Sequence, residues 1–65
     1  MGIYQLSPRE IYDTYMGDQD PAQVIQESRT DLATRLQVEE GLSQDDAYYA
    51  ADQILAYARD QVGAQ

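Results

Sequence analysis

The 65-residue chain contains no Cys, His, Lys, Trp or Phe, and each absence excludes something. Without Cys, neither disulfides nor thiolate metal sites can staple a small fold. Helix signals in the chain and one modest apolar core have to hold it, because a domain this short buries only about 60% of its unfolded surface. Without His, Cys or Lys, the commonest general base, the thiol nucleophile and the Schiff-base amine are all missing. Long apolar runs are missing too. Ala47–Ala51 is as long as any, far below the roughly 20 residues of a membrane span. No basic segment precedes an apolar stretch at the N-terminus, so no secretory signal is read and the expected location is cytoplasmic.

Positive charge is scarce. Twelve Asp and Glu stand against four Arg, for a net charge of −8. Such a field repels nucleic acid and anionic lipid and draws in basic surfaces. Direct binding to nucleic acid or membrane is therefore not expected. Solubility alone accounts for a net charge of about 2–8 in a small domain, and an acidic surface also suits a salt-rich cell.

What is present is helix punctuation. Ser7-Pro8-Arg9-Glu10 has the form of a capping box with Pro at the first helical position, and Leu6 and Ile11 stand where a hydrophobic staple would place them. Gly17 ends this helix. Asp20-Pro21-Ala22-Gln23 repeats the device, and Ile25, Leu32 and Leu36 follow at helical spacing, flanked by Val24, Ala33 and Val38, up to Gly41. Ser43 opens a third helix with Asp45 and Asp46 in its first turn, a stripe of Ala47, Ala51, Ile54, Leu55, Ala58 and Val62, and Gly63 as its stop. The expected fold is all-α. One domain over residues 1–65 holds three helices, at about 8–16, 21–40 and 44–62. Residues 1–6 form an extended N-terminal arm whose Ile3, Tyr4 and Leu6 pack over the core.

Catalysis is poorly supplied, and an enzyme is not expected. Ser7 and Ser43 are taken by capping, and Ser28 has no candidate base. A carboxylate pair would need a cleft that so small a core can hardly form. Asp13, Asp18 and Asp20 lack the run and the glycine of a calcium loop, so neither metal nor cofactor is expected. A helix-turn-helix over Leu32–Leu36, Gly41 and the third helix would press Gln44-Asp45-Asp46 against phosphates, which rules out its use on DNA.

The acidic surface remains. On the third helix Asp45, Tyr49, Asp52, Ala56 and Arg59 share one exposed row, with Asp46, Gln53 and Asp60 alongside. Asp45 to Asp60 spans about 22 Å. On the second, Glu27, Asp31, Arg35 and Glu39 follow at i,i+4, and Arg35 can pair with Asp31 and Glu39. Glu39 and Glu40 sit at a helix C-terminus, where negative charge is unfavourable. Six tyrosines form the whole aromatic set. Tyr49, expected to be exposed among Asp45, Asp46 and Asp52, is a candidate anchor for an Arg- or Lys-rich partner, with Tyr57 placed near Gln53 and Asp60. Tyr12, Tyr15 and Tyr48 read as the edge of the core.

In size, charge and lack of catalytic residues, the whole chain resembles the small acidic inhibitors that phages deploy against bacterial defence, notably anti-CRISPR proteins of the nucleic-acid-mimic type. These share no diagnostic motif, so no residue map is carried over. A monomer is expected, and the resemblance implies a location in the host cytoplasm. It implies a protein partner with a basic, nucleic-acid-binding surface, such as a CRISPR effector, whose access to DNA the chain blocks. The residues expected to meet that partner are Asp45, Asp46, Tyr49, Asp52 and Asp60, with Glu27, Asp31, Glu39 and Glu40. The competing expectation is a helical adaptor or structural subunit that docks through a Tyr-rich apolar face, where Tyr12, Tyr15 and Met16 would matter most.

Overall fold

The computed structural model describes residues 2–63, which are mostly helical and contain no strand. After a 3-10 turn at Ile3–Gln5 come α1 (Pro8–Tyr15), α2 (Pro21–Val24), α3 (Arg29–Glu40) and α4 (Gln44–Gly63). The all-α class is as expected from sequence. The count of three helices is not, because the long second helix is two.

The start of α1 follows its sequence signal. Ser7 accepts a hydrogen bond from the Glu10 amide, and the Glu10 carboxylate accepts one from the Ser7 amide. The second bond, with help from the Ser7 hydroxyl, holds Glu10 below the usual carboxylate range. Its contribution is therefore complete above the ordinary Glu value and fades as pH falls through the lowered one. The melting-temperature gap between wild type and Glu10→Ala is expected to stay constant from about pH 7 to 5 and to shrink below about pH 4. A gap that widened in acid would contradict this.

The break between α2 and α3 has a specific cause. Gln26 and Glu27 donate to carbonyls three residues back, as in a tight turn. Ser28 then takes extended backbone and accepts from the Asp31 amide at 3.1 Å, which makes it the N-cap of α3. Ser28-Arg29-Thr30-Asp31 is a capping sequence in plain view. The continuous spacing of Ile25, Leu32 and Leu36 masked it, since a seven-residue step fits an unbroken helix equally well. With the chain bent here, Val24 enters the core and Ile25 sits at its edge.

The N-terminal segment is likewise more ordered than an extended arm. Its 3-10 turn leaves Ile3 and Leu6 half-buried against the core and turns Tyr4 outward.

α4 is the spine. The other three α-helices all pack on it, α3 most extensively. Gly41 closes α3 in the left-handed conformation (φ 71°), which an L side chain adopts only with strain. Leu42 then packs half-buried against the core, and the Ser43 hydroxyl accepts from the Asp46 amide to open α4. So short a connection folds α4 back along α3 as an antiparallel hairpin. Ala33, Ala47, Ala50, Ala51 and Ala58 are fully buried and let the helices approach closely, around the larger Ile11, Leu32, Ile54 and Val24. Tyr12 and Met16 are buried as well. Their burial was underestimated from sequence, which placed Tyr12 at the core edge.

Candidate functional site

The hairpin turn gathers part of the acidic set. Glu39 and Glu40 end α3, and Asp45 and Asp46 lie in the first turn of α4, with only Gly41–Gln44 between the two pairs. The pinned turn described above fixes all four at one end of the molecule. Their electrostatic situations differ. Asp45 and Asp46 face the positive end of the α4 dipole, and Asp46 also accepts the Tyr4 hydroxyl at 2.8 Å. That hydrogen bond, reinforced by the nearby charge of Asp45, raises the Tyr4 phenol above its ordinary value. Glu39 and Glu40 are exposed at the negative end of α3 with no ion-pair partner among the described residues. They line the rim of a notch of about 120 Å³ whose walls include Tyr15, Met16, Arg35 and Leu36.

The remaining candidates lie elsewhere or are already engaged. Asp52 holds the Arg29 guanidinium through both carboxylate oxygens, and this raises Arg29 above its ordinary value. Glu27 is half-buried and paired with Arg35 at 3.1 Å. Arg35 thus meets neither Asp31 nor Glu39, the partners expected from i,i+4 spacing, because the turn at Ser28 swings Glu27 onto it. Its Nη2 also lies 3.6 Å from the Met16 sulfur. Asp31 is exposed in the first turn of α3, about 12 Å along the helix from Glu39. Asp60 is exposed near the far end of α4. The nine sequence candidates therefore divide into a corner of four, two ion-paired groups, two outliers, and Tyr49.

The tyrosines rearrange the expectation further. Tyr49 is half-buried, not exposed, because the Tyr4 ring lies against it with centroids 4.5 Å apart. Tyr4 is the ring that reaches solvent, at 57% exposure. Its place beside the acidic corner was missed from sequence, since nothing in Gly2–Leu6 specifies which of its apolar residues turns inward. Tyr57 packs on Tyr12 at 5.0 Å and is half-buried. The Tyr12 phenol is raised above its ordinary value, mainly by burial.

Among the described residues, no three carboxylates gather into a group that could hold a metal ion. None of the described helices is long and apolar enough to cross a membrane. Comparison with known protein families, with curated proteins and with solved structures finds no match for this chain.

Proposed function

We propose that this chain is a non-catalytic acidic inhibitor that binds the basic nucleic-acid-binding surface of a bacterial defence complex, a CRISPR effector in the simplest case, and so blocks target DNA. The observation that supports this best is the exposed acidic corner at the α3–α4 turn. Glu39 and Glu40 stand there at the wrong end of a helix dipole, in no ion pair among the described residues. Carboxylates placed where they cost stability favour a use outside the fold. Charge at Asp45, Asp46, Asp31 and Asp60 extends the field along α3 and α4. Asp45 and Asp60 stand about 22 Å apart along α4, the length of some six nucleotides of one DNA strand, with the ion-paired Asp52 between them. The chain would occupy the space and the counter-charge of the target strand together, with no covalent chemistry. A cytoplasmic site of action and a monomeric state belong to the same reading.

Of the three residues on the adaptor alternative's docking face, only Tyr15 stays half-buried at the surface. Tyr12 and Met16 are 3% and 4% exposed and hold the core together, so they are not free to meet a partner.

Capture of partners from bacterial lysate on the immobilised chain, eluted with a salt gradient and identified by mass spectrometry, tests the proposal. A nucleic-acid-binding complex released between about 0.1 and 0.5 M salt is the expected outcome, as charge-dominated contacts are screened over that range. A partner that binds no nucleic acid and resists salt would contradict it.

A further inference from the structure

α4 builds one arginine site and fills it from within the chain. The Arg29 guanidinium lies 4.6 Å from the centre of the Tyr48 ring and forks onto both oxygens of Asp52, four residues along from that tyrosine. An aromatic face and a carboxylate one helical turn apart thus supply a cation–π surface and a bidentate acceptor together.

A tyrosine and carboxylates about one turn apart occur again one residue round the helix, with the carboxylates now on its N-terminal side, and none of Arg9, Arg29 and Arg35 pairs with them. Tyr49 stands four residues from Asp45 and three from Asp46, and Tyr4 covers it while presenting its own ring to solvent. The Tyr4 hydroxyl, donated to Asp46 Oδ1, holds that ring in place. Asp45 is exposed, and neither its carboxylate nor Oδ2 of Asp46 accepts a hydrogen bond among the described residues. Arg9, Arg29 and Arg35 are each paired with another carboxylate. Arg59 lies about 15 Å further along α4 from Tyr49.

We propose that Tyr4, Asp45 and Asp46, backed by Tyr49, form a second arginine site that is filled by an arginine of the partner. This rests on the inhibitor reading above and deepens it by naming the recognised side chain. The guanidinium lies on the outer face of Tyr4 and donates to Asp45 and to Oδ2 of Asp46. Lysine has a point charge and no planar fork, so the site prefers arginine.

The test titrates the full chain with an oligoarginine and an oligolysine peptide of equal length, reading affinity by calorimetry and location by backbone amide shifts. Oligoarginine is expected to bind more tightly and to shift the amides around Tyr4, Asp45 and Asp46. Tyr4→Ala should weaken oligoarginine about two- to fivefold, the worth of an exposed cation–π contact, and oligolysine less. Should Tyr4→Ala disturb the N-terminal turn, Asp45→Asn, at an exposed side chain the fold does not use as an acceptor, is expected to show the same selective loss. Equal affinity for the two peptides, or shifts confined to Glu39 and Glu40, would overturn the arginine site and leave the inhibitor reading standing. No response to either peptide would overturn both.

Discussion

Replacing Glu39 and Glu40 by glutamine is expected to stabilise the chain and to weaken its hold on its partner. Stability rises because two carboxylates leave the negative end of the α3 dipole. Each is worth about 0.3–1 kcal/mol there, so the double variant gains about 1 kcal/mol. In a domain of this size that raises the melting temperature by about 4–8 °C. Neither side chain has an ion-pair partner among the described residues whose loss would offset the gain. Binding falls, on the proposed mode of contact, because two of its charges are gone. At up to about 1 kcal/mol for each exposed pair, the loss is about tenfold in affinity. Opposite signs for stability and binding are hard to produce by any general effect on folding. A variant that gained stability and kept full affinity would show these two glutamates to be a solvated face and no more.

Leu32→Ala is expected to leave much of the chain unfolded at physiological temperature. Leu32 is fully buried where α3 packs on α4. Its truncation should cost about 2–5 kcal/mol in transfer energy and cavity. A domain of this length has about 3–10 kcal/mol in all, and no disulfide supplements it. Urea unfolding followed by circular dichroism measures the loss. Val38→Ala on the same helix is 79% exposed and should fall within about 0.5 kcal/mol of wild type. A loss below about 1 kcal/mol at Leu32 would mean that the surrounding alanines collapse into the space.

The two variants probe different links between sequence and structure, and those links differ in how openly the chain displays them. The capping box at Ser7–Glu10, the stops at Gly17 and Gly41 and the stripe of α4 act within one or two turns, so residue types at fixed offsets reveal them. The break at Ser28 is also local, yet two local signals compete there. The apolar period argues for continuity and the Ser-x-x-Asp cap for a restart, and the cap prevails. The pairing of Arg35 with Glu27 follows from that break and could not be foreseen without it.

For the candidate site, Glu39, Glu40, Asp45 and Asp46 were each candidates from sequence, but as parts of two separate helix faces, which the short turn joins into one corner. The placement of Tyr4 on Tyr49 and Asp46 was not legible. It joins residues more than forty positions apart, and no periodicity within either segment encodes such a contact. The engagement of Asp52 by Arg29 is hidden for the same reason. Net charge alone treated as equivalent carboxylates that the fold separates into spent and unspent.

The most direct test of the inhibitory role is competition. The complex captured from lysate is bound to a fluorescent fragment of its own target DNA and titrated with this chain, while anisotropy reports the DNA still held. Full displacement is expected, with a midpoint that rises in proportion to added DNA because one basic surface serves both ligands. A ternary complex, in which chain and DNA are held together and anisotropy stays high, would contradict it.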